Sequence, residues 1–321
     1  MTKRPGQMKA VAYQGIPGFK LPQLVSRRVP APGPGQVLIQ TAASALNPID
    51  WKLRKGILGL LTPCARLSAI PGFDFVGKVV ALGAGASRFA IGDRVFGMLN
   101  FRTMGSLSDF LIADEAELSR AGDHLDDATL AGLPLAGMTA LQAIRDLGQL
   151  KPLNRLLVVG GSGGVGHLGV QIGKALGARV TAVTGPRNVD HVRQLGADEV
   201  INYAGNADLT GPFDVILDAV VSKSYRHWAK HLSPSGTYVS ALPSLDLLIR
   251  SRLTRHAKGK KVRIIGVHPS HLDLEWLRGQ AEQGTVRLIV DSRYRLETAD
   301  EAIMRSQSGR ARGKIIILNT H

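Results

Sequence analysis

A single cysteine, Cys64, denies the chain any internal disulfide, which excludes a disulfide-stapled scaffold and fits a reducing, cytoplasmic setting. Long apolar runs are also missing, so no membrane-spanning helix is expected. The basic stretch from Met1 to Gln7 leads into charged and polar residues rather than the apolar core of a secretion signal. Acids are scarce relative to bases, 25 Asp and Glu against 40 Lys and Arg. The resulting net charge of +15 admits nucleic acid, an anionic membrane surface, or simple attraction for an anionic cofactor. Seven of the cations fall between Arg250 and Arg263, where no aromatic residue is interleaved for bases to stack on. That absence disfavours a nucleic-acid platform and favours a solvated basic stretch.

What the chain does have is length and apolar content, 321 residues of which 44% are hydrophobic, enough for two domains with full cores. Its centre of organisation is the run Leu156 to Val159 followed by Gly160-Gly161-Ser162-Gly163-Gly164-Val165-Gly166. A short apolar run reads as a buried strand, the glycines as a tight turn, and His167 to Leu176 as a helix. Gly161, Gly163 and Gly166 have dinucleotide-binding spacing, for a tight turn, close approach of a pyrophosphate and close helix packing. The backbone N–H groups around Ser162, Gly163, Gly164 and Val165 then face a phosphate at a helix N-terminus. A second strand, Arg179 to Val183, completes the unit that the motif requires.

An NAD site expects an acid at the end of that second strand to hold the ribose hydroxyls. Here Thr184-Gly185-Pro186-Arg187-Asn188 carries none. A carboxylate would repel a 2′-phosphate, whereas the Thr184 hydroxyl, the Asn188 amide and the Arg187 guanidinium can bind one, so NADPH is expected over NADH.

From Lys9 to Leu118 short strand-like runs such as Val37 to Gln40, Val76 to Ala81 and Arg94 to Phe96 alternate with Gly and Pro punctuation, the pattern of a compact, bent β domain. An apolar helix over Leu130 to Ile144 follows, then alternating strands and helices through Val200-Ile201, Val215 to Leu217, Tyr238 to Ser240 and Ile264 to Val267. Such alternation builds a doubly wound parallel sheet, with a boundary near residue 127. The tail reads as a helix over Leu274 to Gln283, a strand over Val286 to Val290, a helix over Thr298 to Gln307 and a strand over Lys314 to Leu318. Composition leaves open whether it extends the parallel sheet or returns to the first domain.

Seven ordered stretches together resemble the medium-chain dehydrogenase/reductase superfamily, in its zinc-free quinone oxidoreductase-like branch. They are Asn47-Pro48-Ile49-Asp50, Pro71 to Gly77, Gly92 to Gly97, Leu133 to Ala140, Gly161 to Gly166, Leu195 to Tyr203 and Gly309 to Lys314. The resemblance implies an α/β protein with a GroES-like, β-rich catalytic domain over 1–127, rejoined by 270–321, and a doubly wound Rossmann domain binding NADPH over 128–269. The active site would lie in the cleft between them. Zinc-dependent members carry Gly-His-Glu where this chain has Gly72-Phe73-Asp74. All nine histidines lie at or beyond His124, and Cys64 alone cannot complete a zinc site, so no metal is expected. His268 and His271 read as a satisfied or exposed pair.

Without a Lewis acid, the branch reduces acceptors that are already electrophilic, so a quinone or an α,β-unsaturated carbonyl is the expected small-molecule partner. By position, Asn47 and Asp50 could hydrogen-bond the acceptor oxygen or the nicotinamide ribose, or simply build a turn and its cap. Thr139 resembles the family threonine near the nicotinamide, the alternative being a bond to its own helix. Tyr203 matches the tyrosine that approaches the adenosine 2′-phosphate. Leu242 and Val267 follow sheet strands, where their backbones could hold the carboxamide. Arg312 and Lys314 could reach the cofactor from the tail, or be solvated. Related enoyl-thioester reductases carry a tyrosine proton donor where this chain has Leu58, which favours quinones and free enones or enals over thioesters. A homodimer also follows from the resemblance. Two other readings stand beside this one, an NADPH-binding structural or RNA-binding protein of crystallin type, and a biosynthetic enoyl or alcohol-type reductase on a dedicated metabolite.

Overall fold

The computed structural model describes residues 6–14, 21–53, 69–101, 103–205 and 209–319. Its strands in chain order are β1 (Gln7–Ala12), β2 (Gln23–Arg28), β3 (Gln36–Leu46), β4 (Asp74–Leu82), β5 (Arg94–Met98), β6 (Phe110–Asp114), β7 (Leu118–Arg120), β8 (Arg155–Val159), β9 (Arg179–Thr184), β10 (Glu199–Asn202), β11 (Phe213–Asp218), β12 (Leu232–Ser240), β13 (Lys261–Ile264), β14 (Val290–Arg295) and β15 (Lys314–Leu318). They fall into two compact units, one of Met1–Leu135, His268–Glu282 and Val290–His321, the other of Ala136–Val267 and Gln283–Ile289.

In the first unit, a sheet runs in the order β14-β15-β3-β4-β5-β7, with β6 also on β3, and β1 pairs β2 separately. β3 is its spine: Val37, Leu38, Ile39, Ala43 and Ala45 are fully buried, as befits a strand with neighbours along both edges. Val37, Ile39, Phe75, Val79, Val95, Leu111 and Leu118 form one core cluster. The tail returns here, because β15 pairs antiparallel with β3 through Ile316 and Ala45. The apolar stretch after residue 127 also divides. Helix Asp127–Gly132, capped by the Asp126 carboxylate on the Thr129 N–H, packs on β3, β4 and β15. Pro134, with no N–H to give, opens a second helix, Pro134–Leu141. The first unit therefore runs on to Leu135, past the change in composition.

The second unit is a six-stranded parallel sheet in the order β10-β9-β8-β11-β12-β13. Leu156, Leu157 and Val158 of β8 are fully buried, the pattern of a strand covered by helices on both faces. Leu157, Val159, Ile216, Trp228, Tyr238 and Val262 share its core. Two expected strands shift. The last sheet strand is Lys261–Ile264 rather than Ile264 to Val267, because β12 ends its pairing at Ser240, opposite Ile264. The expected strand over Val286 to Val290 instead starts at Val290, because the backbone just before it is taken by side chains. Gln171 accepts from the Arg287 N–H at 2.8 Å and donates to the Arg287 carbonyl at 2.9 Å. The Ile289 N–H donates to His167 Nε2 at 3.2 Å, so the ring carries its proton on Nδ1, toward the Gly163 carbonyl at 2.9 Å.

Candidate functional site

The strand order of the second unit reverses direction between β8 and β11, the place where open α/β sheets leave a crevice at their carboxyl ends. The glycine turn sits on that point. Gly160 has φ +85°, a left-handed conformation, and a Cβ on Gly166 would stand 2.0 Å from the Gly160 carbonyl oxygen, so only glycine lets the helix approach the strand. The Gly160 and Gly161 amides both donate to the Val183 carbonyl, at 2.9 and 3.0 Å, tying the turn to β9. Helix Gly164–Ala175 opens on Gly163, and its first internal bond runs from His167 N–H to the Gly163 carbonyl. The amides of Gly164, Val165 and Gly166 precede that bond and have no carbonyl within the helix to accept them. A Cβ on Gly163 would meet nothing nearer than 3.5 Å, so the turn is open above that residue. The expected helix thus begins three residues earlier than His167.

Sequence reasoning missed Asp218, which fixes the opposite side of the switch point. It ends β11 fully buried; Oδ1 accepts from the Val220 and Val221 amides at 3.2 and 2.7 Å, and Oδ2 accepts from the Tyr238 hydroxyl at 2.8 Å. Burial and the Asp218 charge push the Tyr238 hydroxyl well above the ordinary phenol range. Val221 holds φ +53°, strain for a β-branched residue that the Asp218 bond helps to sustain. The signal in the sequence was a lone acid closing an apolar strand, Val215-Ile216-Leu217-Asp218.

At the end of β9 the structure brings together Ser162, Thr184 and Asn188. Thr184 Oγ1 and Asn188 Nδ2 both donate to Ser162 Oγ, at 3.1 and 3.0 Å, and Asn188 Oδ1 is buried without a partner. The Tyr203 N–H donates to the Thr184 carbonyl at 3.1 Å. The Tyr203 ring lies over Gly185, where an added Cβ would come within 2.9 Å of its hydroxyl. Arg187 is exposed in the turn Pro186–Asn188. The nearest following acid, Asp190, pairs with Arg193 at 2.7 Å. Thr139 is 5% exposed and its Oγ1 has no hydrogen-bond partner, so the alternative bond to its own helix is not made. Leu242 is held by Ser240, whose hydroxyl donates to the Leu242 carbonyl at 2.7 Å, and Val267 follows β13 by three residues.

In the first unit, Asn47 and Asp50 form part of a buried polar network. Asn47 caps the short helix Pro48–Lys52, and its N–H donates to Asp50 Oδ2 at 2.7 Å. Asn47 Nδ2 donates to Asp74 Oδ2 at 2.9 Å, and Asn47 Oδ1 accepts from the Lys314 ammonium. That ammonium also reaches Asp74 Oδ2 at 3.1 Å, while Asp74 Oδ1 accepts from the Leu135 N–H at 2.7 Å. All four side chains are at most 3% exposed. Lys314 is thus a buried ion-pair partner rather than a solvated tail residue, and Arg312 is exposed with its N–H on Asp291. Burial pushes the Asp50 carboxyl up to about 7, with Asp74 adding to the rise and the Asn47 N–H and Lys314 opposing it. Burial also raises Asp74, against the pull of Lys314, Asn47 and the Leu135 N–H. Trp51 packs on the neighbouring core cluster and donates to Ser306 Oγ at 3.0 Å.

Phe73 is fully buried beside Asp74. Among the described residues, no three His, Cys, Asp or Glu side chains gather as a metal site, and no helix is long and apolar enough to cross a membrane. Leu58 and Cys64 lie outside the described residues.

Comparison with known proteins gives matches along most of the chain. A family model described as the alcohol dehydrogenase GroES-like domain matches residues 33–123, and one described as zinc-binding dehydrogenase matches residues 195–317. The chain is 34% identical to a chloroplast envelope quinone oxidoreductase homolog of Arabidopsis thaliana, over 90% of this chain and 91% of the plant protein. It is 31% identical to the mitochondrial NAD(P)H oxidoreductase RTN4IP1 of Bos taurus, over 88% of this chain and 82% of that one. Among solved structures, the quinone oxidoreductase of Coxiella burnetii superposes with a TM-score of 0.87 at 28% identity, over 97% of this chain and 99% of the other.

Proposed function

The chain belongs to the medium-chain dehydrogenase/reductase superfamily, in its quinone oxidoreductase-like branch, and is an oxidoreductase using a nicotinamide cofactor; from that premise we propose that it moves hydride from NADPH to a quinone or an α,β-unsaturated carbonyl, without a metal. The observation that carries the choice of NADPH is the cluster of Ser162, Thr184 and Asn188 at the end of β9, with Arg187 in the adjoining turn and Tyr203 over Gly185. The residues present fit a phosphorylated dinucleotide. The uncommitted amides of Gly164, Val165 and Gly166 suit the pyrophosphate, and the open space above Gly163 lets it approach. Hydroxyls, amides and a guanidinium, with no carboxylate from Thr184 to Asn188, suit the 2′-phosphate.

The bound nicotinamide supplies the hydride; the chain binds, orients and withdraws the reacting groups from water. Thr139 Oγ1, buried and unmatched, is the side chain assigned to hydrogen-bond the nicotinamide end, and the backbones of Leu242 and Val267 to bound it. Asn47 and Asp50 hold the first-unit turn; with the Asn47 side chain committed to Asp74 and Lys314, and Asp50 Oδ2 to the Asn47 N–H, they act as positioning residues. Arg312 is an exposed residue of the tail whose N–H donates to Asp291, and it is proposed to approach the cofactor from there. Zinc is left out of the reading because the chain offers a single cysteine and no histidine before His124 as ligands. A cytoplasmic setting rests on the same sparse cysteine, whereas the two relatives above carry chloroplast and mitochondrial names.

The test is absorbance-monitored oxidation of NADPH and of NADH against a panel of quinones, enones and enals. Turnover with at least one acceptor and a preference for NADPH are expected; an equal or better rate with NADH overturns the cofactor choice. Turnover confined to thioester-linked enoyl substrates overturns the acceptor class.

A further inference from the structure

Between β12 and β13, beyond Leu242, the second unit presents a helix and loop to which no cofactor contact is assigned above. Helix Leu245–Leu253 starts at Ser244, whose hydroxyl accepts from the Leu247 N–H, and Leu247 alone turns fully into the core. Its other large apolar side chains face outward: Leu245, Leu248, Ile249 and Leu253 are 75%, 50%, 53% and 77% exposed. Their spacing puts them on one helix face, with Arg252 among them. Four aliphatic residues turned to water on nine residues of helix are a concentrated apolar stripe rather than scattered surface.

The stripe is bordered by charge of one sign. From Leu247 to Leu272 the sequence holds seven Lys and Arg and no Asp or Glu. Some of these cations are internal fasteners: Arg250 pairs with Asp246 at 2.8 Å, Lys260 reaches the Ala229 carbonyl at 2.6 Å, and Arg263 the Val262 carbonyl at 2.8 Å. Thr254 Oγ1 accepts from the Val262 N–H at 2.9 Å, closing the loop onto the helix end. Arg252, Arg255 and Lys258 are exposed and enter no ion pair among the described residues. A fixed loop therefore holds free cations around an apolar stripe.

A second copy docked on this face would set cations against cations. A nucleic acid would leave the leucines without a role and find no aromatic to stack on. An anionic bilayer satisfies both features, taking the aliphatic side chains into its interfacial region while its headgroups pair with the cations. We propose that this face, helix Leu245–Leu253 with the basic loop to Arg263, docks on an anionic membrane surface.

The test is co-sedimentation of the full chain with phosphatidylcholine vesicles, with and without phosphatidylserine, at low and high salt. Binding is expected to the anionic vesicles only and to weaken with salt. Reversing Arg252, Arg255 and Lys258 to Glu should lower partitioning by roughly a hundredfold or more, at roughly fivefold per charge. Leu248→Ser with Leu253→Ser should lower it by roughly tenfold through lost apolar burial alone. All five positions are exposed, so thermal melting should match the parent chain and separate lost binding from lost folding. Three results overturn the proposal: equal binding to neutral and anionic vesicles, unchanged binding of both variants, or no vesicle binding together with dimers that the serine variant dissociates or RNA that the glutamate variant releases.

Discussion

Two buried polar sets, one in each unit, are arranged in opposite ways. In the first, Asn47, Asp50, Asp74 and Lys314 satisfy one another almost completely; only Asp50 Oδ1 lacks a hydrogen bond of ordinary geometry. In the second, the glycine turn leaves its first-turn amides uncommitted, and Thr139 Oγ1 and Asn188 Oδ1 are buried without partners. Closed polar sets stabilise and position; open ones wait for a ligand. The contrast separates what holds the protein together from what it binds with.

The hardest way to break this contrast is Lys314→Met, which strands the Asp74 charge beside Asn47. Breaking a buried pair from one side costs about 3–5 kcal/mol, so denaturant unfolding should show a loss of that order; an unchanged midpoint would mean the network does not hold the fold. Next is Asp50→Asn. The folded carboxyl titrates near 7 and the unfolded one near 3.8, so the folded state keeps a proton the unfolded state has released between those values. Wild-type stability from this group is therefore lost as pH rises from about 4 to about 7, on the order of 2–4 kcal/mol. The Asn variant should flatten that slope and be the more stable protein at pH 8.

The open site breaks through geometry. Gly166→Ala, by pressing a methyl on the Gly160 carbonyl, should weaken NADPH binding by about 2 kcal/mol, roughly thirtyfold by fluorescence titration. Thr184→Asp sharpens the cofactor choice: a carboxylate facing the 2′-phosphate should move the NADPH to NADH preference by about tenfold toward NADH, near 1.4 kcal/mol. The smallest change expected is Thr139→Val. Because Oγ1 has no protein partner, stability should hold or rise, while kcat/KM falls about fivefold, close to 1 kcal/mol.

The open site was the legible one. Gly161, Gly163 and Gly166, the strands around them and the acid-free run after β9 are local patterns whose periodicity and steric demands can be read along the chain. Thr184, Asn188 and Ser162 were each foreseeable, although their convergence on one hydroxyl was not. The closed network was hidden because its members come from three places, the Asn47–Asp50 turn, Asp74 and Lys314, brought together by the pairing of β3 with β4 and β15. Lys314 looked like a tail cation because nothing local announces burial in a strand end. The strand expected over Val286 to Val290 failed for a related reason: its backbone partners are Gln171 and His167, more than a hundred residues away in the chain.

Those distant partners bear on how the protein is made. As a ribosome delivers the chain from its N-terminus, helix Gly164–Ala175 emerges long before Arg287 and Ile289, the residues that occupy Gln171 and His167 Nε2. β3 likewise waits for β15, whose residues follow it by more than 260 positions. Neither half can close early, so each keeps exposed edges and unfilled hydrogen bonds until these later segments have been synthesised.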